Sequence, residues 1–287
     1  MNMQNNTGQA AAVTSCTYSD HNENLLLYIW LSNISGFGVV SQHRLLGLCG
    51  NIENCFSFRA DELVEKDRMC AAGDRIGRKK LEIFLRSRNH LQDRKRAEVI
   101  IEECNGKGID IITGDDAIYP YRFAGLPDMP VVLYAKGKLR INDFARSSGV
   151  IGARRCSENG KQTAIALTYN EVNKGAAIIS GMAKGIDGYA HTAALKKDGY
   201  TIAVLGNGVD ICYPEEHKRL YEEITKKGCI LSEYAPGTEA RVYSFPKRNR
   251  LIAALSDTLF VIDAGRHSGT ETTVKASELY GKKVLRV

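Results

Sequence analysis

Four short segments of this chain combine glycine, cationic and hydroxyl side chains in patterns suited to holding an anion. The first is Gly152-Ala153-Arg154-Arg155, directly after the apolar run ending at Ile151. It lacks the second and third glycines of a dinucleotide turn, and two arginines stand where that turn keeps small residues. Arginine forks match phosphate oxygens, so the segment suits a phosphate backbone better than a dinucleotide. The second is Ser180-Gly181-Met182-Ala183-Lys184-Gly185, followed by Asp187 and His191. Lys184 between glycines adds a point charge to backbone donors at a helix start. Asp187 is placed to cap that helix, with His191 one turn later on the same face. No Ser or Cys nucleophile is spaced to join them, so capping and orientation fit the pair better than acid–base catalysis. The third is Phe245-Pro246-Lys247-Arg248-Asn249-Arg250, three cations in four residues behind an aromatic. Cation plus aromatic grips single-stranded nucleic acid through phosphate contact and base stacking. The fourth is Ser268-Gly269-Thr270, a small, hydroxyl-rich helix start that follows Asp263-Ala264-Gly265.

The elements that must position these segments are legible in the apolar pattern. From Ile109 onward, short apolar runs alternate with helical stretches: Ile109–Thr113, Val131–Tyr134, Gly149–Ile151, Ala176–Ser180, Thr201–Leu205, Cys229–Ser232, Thr258–Ile262 and Lys283–Val287. Runs of this length and composition suit strands buried on both faces of a mostly parallel sheet. The stretches between them, such as Glu158–Lys174, Gly188–Lys197, Pro214–Lys227 and Thr270–Tyr280, fit crossover helices. The expected fold is therefore a doubly wound α/β domain over 106–287. Ligands of such sheets lie beyond the carboxyl ends of the strands, where all four segments fall. Before it, 25–105 reads as a helical domain and 1–24, rich in Asn, Gln, Ser and Thr, as a flexible leader. Ile34-Ser35-Gly36-Phe37-Gly38 lies between two helical stretches and is similar to a helix-hairpin-helix turn.

Composition narrows the classes. The 287 residues carry 39 Lys plus Arg against 33 Asp plus Glu, a net charge of +6. Residues 1–105 are balanced, 13 against 13, so the whole excess lies after them. That permits a polyanionic partner without demanding one. No apolar run approaches the roughly 18–20 residues that span a bilayer, and no secretory signal pattern opens the chain. The eight cysteines show no metal-site spacing and fit reduced, cytoplasmic thiols. Residues 75–96 hold nine cations (75, 78, 79, 80, 86, 88, 94, 95 and 96) against Glu82 and Asp93. The spacing of Ile76, Leu81, Phe84 and Leu85 predicts a buried stripe with a basic outer face, either merely solvated or a second DNA track.

Taken in order, these segments resemble the DNA-processing protein A (DprA/Smf) family. The resemblance begins at Tyr119-Pro120 and Leu133-Tyr134-Ala135-Lys136-Gly137. It continues through I-G-A-R at 151–154, S-G-M-A-K-G-I-D at 180–187 with A-H at 190–191, and V-L-G-N-G-V-D at 204–210 with Y-P at 213–214. S-E-Y-A-P-G-T at 232–238, F-P-K-R-N-R at 245–250 and S-G-T at 268–270 complete it. The resemblance implies an extended Rossmann-like domain preceded by a sterile-alpha-motif-like or helix-hairpin-helix-like domain. It implies a non-enzymatic recombination mediator that binds single-stranded DNA, protects incoming strands in natural transformation and helps load the RecA recombinase. A cytoplasmic homodimer formed through the Rossmann-like domain is implied too, with no cofactor and no metal. The DNA pocket would be carried by Gly152, Arg154, Phe245, Lys247, Arg248 and Arg250. Ala153, Arg155, Ser180, Gly181, Lys184, Asn249, Ser268 and Gly269 would line the same edge. Ala153 stands where the family usually has Thr, and Asp263-Ala264 is a mild change in the pair after the seventh strand. The sequence ends at Val287, before the winged helix that the family often carries. Two alternatives use the same scaffold. A nucleotide-sensing module would need the glycine rim but not an exposed Lys247-Arg248-Arg250 cluster. A nucleoside phosphoribohydrolase would need G-G-x-G-T-x-x-E, from which Gly269-Thr270-Glu271 departs in offset.

Overall fold

The structure, a computed structural model, describes residues 18–265 and 269–287. Its first part is helical: α1 (Tyr18–Ser32), α2 (Val39–Cys49), α3 (Ile52–Ser57), α4 (Ala60–Met69), α5 (Arg78–Arg88) and α6 (Leu91–Lys107). Strands β1 (Asp110–Thr113), β2 (Val132–Gly137) and β3 (Arg146–Gly152) follow, then α7 (Glu158–Asn173), β4 (Ala176–Ser180) and α8 (Ile186–Lys196). The chain continues with β5 (Thr201–Val204), α9 (Lys218–Lys227), β6 (Cys229–Ser232) and α10 (Ser244–Leu255). It closes with β7 (Thr258–Ile262), α11 (Glu271–Leu279) and β8 (Lys283–Arg286).

The eight strands form one sheet in the order β1-β2-β6-β5-β4-β3-β7-β8. Six of them, β3 to β8, run parallel, and their crossovers are the helices between them. β2 joins this block antiparallel to β6, and β1 pairs antiparallel with β2. Every residue of β4, β5 and β6 is buried, which is why these strands read as unbroken apolar runs. β3 starts three residues earlier than its apolar run because two serines sit inside the sheet with their hydroxyls paired. Ser147 Oγ donates to the Leu255 carbonyl at 2.7 Å and Ser148 Oγ to Glu171 at 2.8 Å. A buried polar group with a partner costs little, but hydrophobicity alone does not reveal it.

One boundary also moves in the helical part. Helix α1 begins at Tyr18, inside the expected leader, since a polar first turn can extend a helix whose apolar residues start a turn later. Residues 1–17 lie outside the described residues. The stripe of α5 forms as expected, with Ile76, Leu81 and Phe84 buried and Leu85 partly so. It shares one apolar core with the sheet: Trp30, Leu45 and Phe84 join the cluster that holds Val132, Tyr134, Leu205 and Tyr221. The His43 ring sits 2.7 Å from the Met129 carbonyl, tying α2 to the segment before β2. The helical part is thus packed against the antiparallel edge of the sheet rather than tethered to it.

Candidate nucleic-acid interface

The loops after β3, β4, β5 and β7 meet at the carboxyl edge of the parallel block, where glycine allows the backbones to touch. Ala153 N–H donates to the Ile262 carbonyl at 3.3 Å, and Ile186 N–H donates to the Ala153 carbonyl at 3.2 Å. The Arg154 turn is therefore locked to both β7 and the start of α8. Gly185, at φ +76°, makes this junction possible, because a Cβ there would overlap the Ala153 carbonyl.

The helix starts are not free for an anion, contrary to the expectation from sequence. At α7, Ser157 Oγ accepts from Gly160 N–H at 3.0 Å, and the Asp263 carboxylate accepts from Ser157 N–H at 2.5 Å. At α8, Gly185 occupies the cap position and Asp187 lies in the first turn. Its carboxylate accepts from Gly181 N–H at 3.1 Å. At α7 the first donors are thus taken by Ser157 and Asp263, at α8 by the Ala153 and Ala183 carbonyls, and Asp187 takes the Gly181 N–H in the loop before it. The remaining attraction must come from side-chain cations.

Those cations divide sharply by burial. Arg154 and Arg155 are exposed and, among the described residues, make no hydrogen bond or ion pair. Lys184 is exposed, in a surface ion pair with Glu216 at 2.6 Å. Lys247 is exposed above the Tyr243 ring. Arg248, expected in an exposed cluster, is 5% exposed: it donates to the Gly181 carbonyl at 2.8 Å and to the Val204 carbonyl. Burial lowers its guanidinium to about 10, opposed by the Asp187 carboxylate. Arg250 is also held inward, in a bidentate pair with Glu233 at 2.6 and 3.2 Å. Asn249 bridges to the Thr272 hydroxyl at 2.7 Å and to the Gly269 carbonyl at 3.3 Å. Residues of one helix turn cannot all face solvent, so two of the three cations of this run brace the edge.

Ser180 is likewise turned away: its hydroxyl donates to the Val150 carbonyl at 2.6 Å inside the sheet. Gly181 is pressed against the Arg248 guanidinium. Ser268 lies outside the described residues, and neighbouring Gly269 is exposed at the cavity wall. His191 is fully buried, with Nδ1 2.7 Å from the Thr201 hydroxyl. Burial, and then the charges of His217 and Arg248, lower it to about 3, so it stays neutral and serves packing.

Sequence reasoning named Phe245 but missed Tyr213, the second ring of the site's aromatic centre. Phe245 stacks on Tyr213, ring centroids 5.4 Å apart and planes 29° from parallel, and Tyr213 is 47% exposed. The Arg154 and Arg248 guanidinium groups lie 5.8 and 6.0 Å from the Phe245 centroid. Gly152, Arg154, Tyr213, Phe245 and Gly269 border a cavity of about 540 Å³. A smaller one of about 60 Å³ reaches beneath Phe245 to Lys184 and Asn207. Tyr213 could have been flagged, since a Tyr-Pro pair in the loop after β5 places an aromatic at the carboxyl edge. A larger hollow of about 770 Å³ between α8 and α9 mixes Lys196, Arg219 and Lys227 with Asp198, Glu216 and Glu223 and selects no ligand charge.

A parallel block with helical crossovers and its loops gathered at one edge defines an extended Rossmann-like α/β protein. The chain belongs to the DNA recombination-mediator protein A family, whose model matches residues 110–287. It is 34% identical to Protein Smf of Synechocystis sp. over 264 residues, covering 89% of this chain and 63% of that protein. Its fold is similar to that of DNA processing protein A from Streptococcus pneumoniae, with TM-score 0.76 at 28% identity, covering 91% of this chain and 86% of that one. It is also similar to DNA processing protein A from Helicobacter pylori, solved for its single-stranded DNA binding mode. There the TM-score is 0.57 at 32% identity, covering 62% of this chain and 80% of that one. The chain spans less than two thirds of the length of the curated relatives it matches.

Proposed function

We propose that the carboxyl edge binds single-stranded DNA, and that the protein acts as a recombination mediator. The observation that carries this reading is the Tyr213–Phe245 stack, with Tyr213 exposed and Phe245 half-buried, beside Arg154, which has no ion pair among the described residues. Every base has a face that can stack on such a platform, so binding tolerates sequence, while Arg154, Arg155, Lys184 and Lys247 hold phosphates. Gly152, Ala153 and Gly269 shape the wall; Arg248, Asn249, Arg250, Ser180 and Gly181 hold it in place. Membership of the family and the single-stranded DNA binding mode named for the Helicobacter relative support the same reading.

The fuller role is protection of incoming strands and loading of RecA in a cytoplasmic homodimer during natural transformation. Support for self-association through the sheet domain is exposed apolar surface at the β8 edge, Leu285 in the strand and Leu279 at the end of α11. No described helix is long and apolar enough to cross a membrane. A binding role rather than an enzymatic one fits the buried, neutral His191. It also fits Glu271, the acid nearest the hydrolase pattern, which pairs with Arg286 at 2.9 Å.

The test is fluorescence anisotropy with labelled oligo-dT. Tight binding is expected that weakens steeply with salt through counterion release. Arg154→Ala should weaken it about tenfold or more, and Tyr213→Ala by about 1–3 kcal/mol per stacked base. Unchanged affinity in both variants would remove the pocket assignment.

A further inference from the structure

The nine cations of 75–96 are not equivalent. Five are engaged within the protein. Arg75 donates to the Arg68 carbonyl at 2.7 Å and to that of Cys70 at 3.0 Å, and Lys80 donates to the Gly36 carbonyl. Arg78 pairs with Glu82 at 2.9 Å, and Arg94 pairs with Glu23 at 3.0 Å and Glu98 at 3.3 Å. Arg88 donates to the Phe58 carbonyl at 2.7 Å. The other four, Lys79, Arg86, Lys95 and Arg96, are exposed and make no hydrogen bond or ion pair among the described residues.

The nearby carboxylates are already committed. Glu82 and Glu98 hold Arg78 and Arg94, and Asp93 accepts from the Ser87 hydroxyl at 2.5 Å. Lys79 and Arg86 are seven residues apart on α5, hence on one face about 10 Å apart along the axis. A two-residue connection then leads to α6, whose second turn carries Lys95 and Arg96. The nine cations of 75–96 outnumber Glu82 and Asp93, and a polyanion relieves the remaining repulsion while releasing its own counterions.

We infer that Lys79, Arg86, Lys95 and Arg96 form a second polyanion-binding face, taking the phosphate backbone of single-stranded DNA that extends beyond the carboxyl-edge pocket. This rests on the single-stranded DNA reading above. The face carries no exposed aromatic between its cations on α5, so it contributes affinity without gripping bases.

The experiment uses the full chain with all four residues changed to Glu, and a milder variant with all four changed to Gln. Anisotropy is measured with oligo-dT of roughly 8 and roughly 40 nucleotides. Both variants should match wild type on the short strand. On the long strand the Glu variant should bind at least about tenfold more weakly, and the Gln variant should lower the slope of log affinity against log salt by up to about 3. Unchanged long-strand affinity, or equal loss on both strands, overturns the face. So does long-strand affinity kept by the variants while they lose binding to phosphatidylserine-rich vesicles that wild type holds. Failure of wild type to bind the short strand would instead overturn the pocket reading, so the two failures are distinct.

Discussion

At the scale of single residues, charge and burial decide which basic side chains can meet a ligand. Arg154 and Arg248 are both arginines of the anion-suited segments, yet one is solvent-facing beside Phe245 and the other donates to two buried carbonyls. Sequence could supply the residue types but not this division, because the turn of helix that buries Arg248 is set by packing onto Gly181. His191 illustrates the same limit. Its spacing from Asp187 admits acid–base chemistry, while its burial leaves it uncharged. With its native value lowered from 6.5 to about 3, the unfolded chain takes up the proton first on acidification. Stability should therefore fall as pH drops from 6.5 toward 3, by about 1.4 kcal/mol per unit from this group. Urea unfolding at pH 7 and pH 5 should show this loss in wild type and less of it in His191→Gln. Equal losses would assign the acid sensitivity to other groups.

At the scale of elements, the strands were the most legible part. All eight appear where apolar runs predicted them; the central β4, β5 and β6, buried on both faces, write themselves as unbroken hydrophobic stretches, whereas β8 is largely exposed. What escaped was polar and paired: Ser147 and Ser148 inside β3, and Asp263 at the start of α7. Long-range partners of this kind leave no local pattern. The α8 start matters most to the site, because Gly185 lets it lie against the Arg154 turn. Gly185→Ala combines a positive φ with overlap on the Ala153 carbonyl, so it should cost about 2 kcal/mol or more. Thermal unfolding should show a clear drop in Tm, and oligo-dT affinity should fall with it. A variant of unchanged Tm and affinity would show that this junction does not hold the pocket.

At the scale of the whole molecule, the net charge of +6 proved less informative than its distribution. Part of the excess after residue 105 is held internally in Arg248 and Arg250, whereas the balanced first part exposes four cations with no partner among the described residues. The division into a helical part and a sheet was legible, but their shared core was not. Tyr134 is 1% exposed beneath that joint core, so a chain starting at Ile109 would bare it together with Val132. Such a chain should bind a hydrophobic dye and aggregate, which sedimentation would reveal; a well-behaved, cooperatively folding product would contradict the shared core.

The central claim is that DNA lies across the Tyr213–Phe245 stack, and photo-cross-linking tests it most directly. A short oligo-dT carrying one 5-iodouracil is irradiated with the full chain and the adduct is mapped by mass spectrometry. The account predicts modification of the peptide bearing Tyr213 or Phe245, lost at high salt. Adducts confined to other surfaces, with those two peptides unmodified, would contradict it.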